Sequence, residues 1–161
     1  MSVHNSESVK SLINEWATRN HTALNAHYAA AKYFSKGHYL IGIPAATLAF
    51  VVGSSVFVSL SKDVNTTIKL AVTFASVLSA VLTGLQTFLN YNQRSEKHRL
   101  VASKYSAVKR EIEQLLTLPE ENLKSSKKEI DSLRVKIDNI GQDAPSLPDG
   151  FFEKAIKPNG T

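Results

Sequence analysis

The chain has 161 residues, a formal net charge of +5 at pH 7 and a sequence pI near 9.4. That length suits a single domain rather than several, and the complete lack of cysteine fits a reducing compartment. The average composition is that of a soluble protein, but it conceals two long stretches without any charged residue.

The first predicted element is an amphipathic helix at residues 6–36. Its apolar residues recur with helical spacing along one face, which predicts that this face packs against another helix. The stripe consists of Val9, Leu12, Ile13, Trp16, Ala23, Leu24, His27, Ala31 and Phe34. We expect Gly37 to end or loosen this helix.

Two uncharged stretches follow: Tyr39 to Leu60 has 22 residues and Leu70 to Leu89 has 20. At 1.5 Å per residue, each is long enough to cross a hydrocarbon core of about 30 Å as a helix. Because only nine residues separate them, spans 39–60 and 70–89 form a predicted helical hairpin through a lipid bilayer. A hairpin buried in a soluble bundle is the alternative, but the other helices have one apolar stripe each and cannot cover both.

Lysine and arginine are distributed unevenly around this hairpin. The residues at its two outer ends are Arg19, Lys32, Lys36, Arg94, Lys97, Arg99, Lys104 and Lys109, whereas the connecting loop holds Lys62 and Lys69. The positive-inside rule therefore predicts a multi-pass protein of the inner (cytoplasmic) membrane with both termini in the cytoplasm. No nucleic acid is needed to explain the basic charge, because juxtamembrane basic residues favour an anionic inner leaflet.

The second span carries a stripe of polar residues at spacings of three and four. It is formed by Ser76, Ser79, Thr83, Gln86 and Asn90. At 100° per residue, the large apolar side chains of the span fall on the opposite face. A polar face within lipid is expected to point towards protein or towards an aqueous path.

From Leu70 to Leu118 there is no proline and only one glycine, Gly84, which predicts one unbroken helix. Its part at 90–118 carries a heptad-like apolar seam on the same face as the polar stripe. The seam consists of Val101, Tyr105, Val108, Ile112 and Leu115. We expect it to pack on the stripe of helix 6–36.

The polar stripe has two interpretations. In the first, several copies surround an axis and the stripe lines a pore, since one hairpin alone cannot enclose water. In the second, the hydroxyls and amides bond across packed helices, as is common in membrane bundles. The first span supplies small residues for such packing, namely Gly42, Ala46, Ala49 and Gly53. The stripe contains no acidic or basic ring, so sharp ion selectivity is not expected.

The sequence TLPE from Thr117 to Glu120 fits a capping box with proline in the first turn. It predicts a helix at 120–140 that stops at Gly141, followed by a loose tail at 141–161 in which Phe151, Phe152 and Ile156 could dock. The predicted fold is all-α: a membrane helical hairpin with long amphipathic cytoplasmic helices, one domain at 1–140 that assembles into an oligomeric bundle.

Motifs for catalysis are absent from the sequence. There is no glycine-rich phosphate loop, nucleophile elbow or His-Glu-x-x-His helix. His27 lies on an apolar stripe, which favours a core histidine over a metal ligand. We therefore expect no enzyme, no cofactor and no metal site.

The order of the elements resembles a known family. A basic amphipathic helix, two close spans and a helix with His98, Ala102, Tyr105 and the sequence KREIEQL from Lys109 to Leu115 are similar to the SLATT proteins, bacterial effectors with two transmembrane helices. The resemblance covers about Ser11 to Leu118 and stops at Pro119. It implies a role in antiviral defence, a nucleotide cyclase or nucleotide sensor as partner, and homo-oligomeric pores that stop or kill the infected cell.

These observations lead to one main hypothesis and two alternatives. The main hypothesis is an oligomeric membrane effector whose second span lines a conductive path gated by the cytoplasmic helices. A non-conducting membrane scaffold that recruits a cytosolic partner is the first alternative. The second is a soluble bundle that inserts only after a trigger.

Overall fold

The computed structural model describes residues 3–59 and 65–156, and this part of the chain is helical with no strand. The helices are α1 (Val3–Ser59), α2 (Thr66–Leu89), α3 (Tyr91–Leu116), α4 (Glu120–Ser125), α5 (Lys127–Asp143) and α6 (Phe151–Ile156). The all-α prediction is confirmed. Leu60, Lys62 and residues 157–161 of the predicted tail lie outside the described residues.

Helix α1 does not end at Gly37, as the sequence suggested, but continues through Gly37 and Pro44. Pro44 removes one backbone donor from the ladder, and its side chain is exposed. Gly37 is required for space rather than for a helix end: a Cβ there would lie 2.9 Å from the Tyr91 ring. A glycine in a helix therefore marks a close approach here and not a terminus.

The predicted unbroken helix from Leu70 to Leu118 is wrong at one residue. Helix α2 ends at Leu89, and Asn90 has the left-handed conformation, with φ 46° and ψ 42°. No proline or glycine signals this break, but asparagine tolerates the left-handed region better than most residues.

The predicted capping box before α4 is also wrong, although the helix begins where expected. Pro119 is the N-cap and forms no side-chain cap bond. The Thr117 hydroxyl instead donates to the Gln114 carbonyl. Helix α5 runs past Gly141 to Asp143, and α6 lies within the region predicted to be a loose tail.

The chain divides into two compact units. The core unit comprises Met1–Lys32 and Ser95–Thr161, and the hairpin unit comprises Tyr33–Arg94. In the core unit, apolar residues of α1, α3, α4 and α5 form one cluster: Ile13, Leu24, Val101, Ala102, Tyr105, Val108, Ile112, Leu115, Leu123, Leu133 and Ile140.

The hairpin unit has little interior of its own. In the most apolar window of 18 residues of each long helix, only 6% of the residues are buried. Large apolar side chains are instead exposed: Leu40, Ile43, Phe50, Leu70, Phe74, Val77, Val81 and Phe88. Because water would oppose such exposure, these surfaces fit a lipid environment.

Candidate functional site

The polar stripe of the second span falls into separate environments, and Ser79 occupies the innermost one. Ser79 is the buried residue of α2 in the described chain, and its hydroxyl donates to the Ala45 carbonyl of α1 at 3.4 Å. This is the cross-helix bond that the packing interpretation requires. Ser79 therefore faces α1 within one copy of the chain.

Other hydroxyls on the span are satisfied by their own helix. Ser76 donates to the Val72 carbonyl at 2.8 Å, and Thr87 donates to the Thr83 carbonyl at 3.0 Å. Such bonds to the preceding turn let a hydroxyl sit in lipid without an unpaired donor. Ser76 is half-buried and Thr87 is exposed.

Thr83 and Gln86 differ from these residues. Thr83 is exposed and Gln86 is half-buried, and neither side chain forms a hydrogen bond with the described residues. The Gln86 carboxamide lies against Gly42, where an added Cβ would be 3.1 Å from Nε2. The side chains of these two residues thus leave polar groups of the second span without a partner among the described residues.

Asn90 does not continue the stripe. Its backbone ends α2, and its side-chain amide donates to Gln93 Oε1 at 2.6 Å. The sequence placed it on the polar face by counting 100° per residue, and that count fails where the helix breaks.

The small residues of the first span have different surroundings. Gly42 packs against Gln86, whereas Ala46, Ala49 and Gly53 are exposed. No described atom lies within 4 Å of a Cβ added at Gly53. Ala45, which sequence reasoning missed, is the buried contact. Its position three residues after Gly42, one helical turn on, was the available signal.

All five residues of the seam lie in the cluster of the core unit. They pack with α1 residues such as Ile13 and Leu24 and also with α4 and α5. Leu12, which the sequence assigned to the apolar stripe of α1, is 41% exposed and is not part of the core cluster.

A buried polar layer crosses this apolar core between α1 and α3. His27 Nδ1 lies 2.9 Å from His98 Nδ1, with both rings less than 5% exposed. The Asn20 amide donates to the Tyr105 carbonyl at 3.0 Å, while Asn20 Oδ1 is buried without a partner among the described residues. Sequence reasoning placed His27 in the core but missed Asn20, because asparagine at a helix position is most often exposed.

Burial lowers the pKa of His27 to about 4, with His98 adding a smaller repulsion, and burial also lowers the pKa of His98. Both rings are therefore neutral at pH 7. Their bond requires one Nδ1 to carry the proton and the other to accept it. No group of three or more metal-ligating residues occurs in the described chain.

The C-terminal helix α6 lines a groove in the core unit of about 970 Å³. Its walls are Thr18, His21 and Asn25 of α1, Lys109, Ile112 and Leu116 of α3, and Phe151, Lys154 and Ile156 of α6. Of the three residues expected to dock, only Phe151 is half-buried, against α1 and α3, whereas Phe152 and Ile156 are 50% and 58% exposed.

Comparisons with known proteins place this arrangement in a family. No curated protein and no solved structure matches the chain. The profile of one family does match, over residues 10–158. The match therefore includes the region after Pro119, for which the sequence analysis had found no resemblance to the family. The chain belongs to the SMODS and SLOG-associating 2TM effector domain family 4, a family of membrane effectors of defence-associated systems.

Proposed function

We propose that the chain oligomerises in the inner membrane and forms a conductive path when it is activated, with Thr83 and Gln86 turned towards that path. The family name associates these effectors with SMODS and SLOG proteins, which supports activation by a nucleotide-signalling partner. The excess of Lys and Arg at the outer ends of the hairpin supports cytoplasmic termini.

The observation that supports this proposal is that the side chains of Thr83 and Gln86 have no hydrogen-bond partner among the described residues. An unpaired amide in an apolar environment costs about 2–7 kcal/mol. Lipid tails offer no donor or acceptor. A second copy of the chain, or water held between several copies, can satisfy these groups.

Packing within one chain explains only part of the stripe. Ser79 is satisfied by Ala45, and Ser76 and Thr87 by their own helix. The remaining polar groups lie at Thr83 and Gln86, two positions almost one turn apart. The proposed path is therefore lined by fewer residues than the whole stripe contains.

Flux of ions from liposomes that contain the full-length protein tests the proposal. Wild-type protein should leak with a steep dependence on protein density, because a path requires several copies and high density favours their assembly even without the activating partner. The double variant Thr83→Val and Gln86→Met removes the polar groups at similar volume and should reduce the leak at least tenfold. Thr47→Val is the matched control, since Thr47 is exposed on α1 and its hydroxyl donates to the Ile43 carbonyl. An equal leak from the double variant would refute the role of these residues.

A non-conducting scaffold is the second candidate, and the groove at α6 is the observation that favours it. The groove has a volume of about 970 Å³ and a mostly apolar lining, in which Lys109 pairs with Glu113 and Lys154 adds a second cation. It has the size and lining of a ligand or peptide site. The scaffold predicts no flux at any protein density. It also predicts that Phe151→Ala weakens binding of a cytosolic protein encoded beside this chain, while Phe152→Ala, outside the groove, leaves binding unchanged.

A further inference from the structure

We infer that Asn90 is a two-state junction. When its backbone is left-handed, α2 and α3 are separate helices, and when it becomes right-handed they merge into one helix. Contacts of Tyr91 with α1 hold the separated state. The consequence for conduction rests on the proposed function, whereas the two states themselves do not.

The backbone of Asn90 is the first observation. Asn90 is the one described residue other than glycine with a positive φ. Its N–H still bonds to the Gln86 carbonyl at 3.1 Å, and its own carbonyl accepts from the Arg94 N–H at 3.2 Å. The helical ladder therefore continues on both sides, and one residue alone carries the break.

The sequence on both sides favours closure. Neither proline nor glycine occurs from Leu85 to Leu116, so no residue there opposes a right-handed helix. Asparagine enters the left-handed region at lower cost than alanine or leucine. A residue type that permits both states thus stands at the single position where the two helices meet.

Tyr91 stabilises the separated state through contacts within the hairpin unit. Its ring covers the backbone of Gly37, where an added Cβ would lie 2.9 Å from Cε2 and 3.0 Å from Cδ2. The Phe34 ring lies 6.0 Å from the Tyr91 ring, and the Arg94 guanidinium lies 5.9 Å from the centre of the Phe34 ring. Because Gly37 has no side chain, it leaves room for the Tyr91 ring when Asn90 is left-handed.

Hydrogen bonds distinguish the two states. In the separated state, the backbone N–H groups of Tyr91, Asn92 and Gln93 have no acceptor among the described residues. In a merged helix they would bond to the carbonyls of residues 87–89, four positions earlier. The merged state therefore gains three backbone bonds. It loses the contacts of Tyr91 with Gly37 and Phe34 and requires α2 or α3 to change its contacts with α1, so a partner that binds one of the two states better would shift the equilibrium towards it.

Merging also restores the geometry that the sequence alone suggested. With Asn90 in the right-handed region, the polar face of α2 and the seam of α3 would share one side of a continuous helix. A force on α3 would then turn Thr83 and Gln86 directly. We assign the merged helix to the conducting state of the proposed path.

Amide hydrogen exchange on the full-length protein in liposomes tests the junction. Asn90→Ala raises the cost of the left-handed state, which should shift the equilibrium roughly five- to thirtyfold towards the merged helix. Exchange at residues 91–93 should slow to the extent that the merged helix, in which these N–H groups are bonded, becomes populated. Asn90→Gly should keep wild-type exchange, because glycine adopts a positive φ freely. Asn92→Ala, an exposed and already helical neighbour, is the matched control and should also behave like wild type.

Gly37→Ala independently tests the contact between Tyr91 and Gly37. The added methyl group must displace the Tyr91 ring, so exchange at residues 91–93 should slow as in Asn90→Ala. Unchanged exchange at these amides in both variants would overturn the inference. The inference would also fail if Asn92→Ala produced the same slowing.

Ion flux from the same liposomes separates this inference from the proposed function. Slower exchange together with a greater leak at equal protein density supports both. Slower exchange with the leak of wild type would overturn the assignment of the merged helix to the conducting state. Slower exchange with no leak from any variant, wild type included, would refute the proposed function and support the two-state junction.

Discussion

The His27–His98 pair should make the core unit sensitive to acid. His27 is 4% exposed and its pKa falls to about 4, chiefly through burial, against an ordinary value near 6.5. Below pH 6.5 the unfolded chain binds a proton at this position and the folded chain does not. Stability is therefore complete above pH 6.5 and is lost as the pH falls from 6.5 towards 4.

The expected loss follows from the two pKa values. His27 alone costs about 2 kcal/mol of folding free energy at pH 5 and about 3 kcal/mol at pH 4. His98 acts in the same direction, because burial lowers its pKa too. A loss of this size is a large share of the stability of an ordinary domain.

Urea unfolding of the full-length protein in detergent measures this loss. Trp16 is the only tryptophan and packs against the core cluster, so its fluorescence reports the core unit. The double variant His27→Gln and His98→Gln keeps side chains that can hydrogen-bond but do not titrate, and it should lose the acid dependence between pH 7.5 and 5. His21→Gln, at an exposed histidine of the same helix, should retain it. If the double variant and wild type lost stability in parallel, the assignment to this pair would be wrong.

The same unfolding assay checks two further expectations for the core unit. Ile112→Ala, at a side chain only 1% exposed, should lower the free energy of unfolding by about 2–5 kcal/mol. Leu100→Ala, at 60% exposure on the same helix, should stay within about 0.5 kcal/mol of wild type. Equal losses in the two variants would contradict the assigned core. Asn20→Leu removes the unpaired Oδ1 and should keep or raise stability, while Asn20→Asp buries an unpaired charge and should lower it by several kcal/mol. A loss above about 2 kcal/mol in Asn20→Leu would show that its bond to Tyr105 outweighs the unpaired oxygen.

The sequence predicted the parts of the fold that depend on periodicity. The five seam residues recur at spacings of three and four, and burying one face of a helix requires that spacing. Length and lack of charge likewise predicted two helices long enough to span a bilayer. These features depend on many residues at once, so single exceptions do not hide them.

Features that depend on one residue were missed. Asn90 breaks the helix through its own left-handed backbone angles, and no neighbouring proline or glycine indicates that the helix ends there. Gly37 was expected to end or loosen the first helix, although the close approach of Tyr91 explains the glycine. Both depend on contacts between residues far apart in sequence, which periodicity does not contain.

The polar stripe shows the same limit within the candidate site. The spacing of the stripe does not say which hydroxyls bond to their own helix, which bond to α1 and which remain unpaired among the described residues. That division follows from the position of Ala45 opposite Ser79 and of Gly42 opposite Gln86. It reduces the candidate residues to Thr83 and Gln86.

Unit conductance in planar bilayers tests the central claim most directly, because the size of a single current step depends on the side chains that line the path. Wild-type full-length protein should give discrete current steps. Thr83→Phe should make each step smaller by narrowing the path, whereas Thr47→Phe, on the exposed surface of α1, should leave the step size unchanged. Steps of equal size in wild type and Thr83→Phe, or no steps from wild type at any protein density, would contradict a conductive path lined by this face of α2.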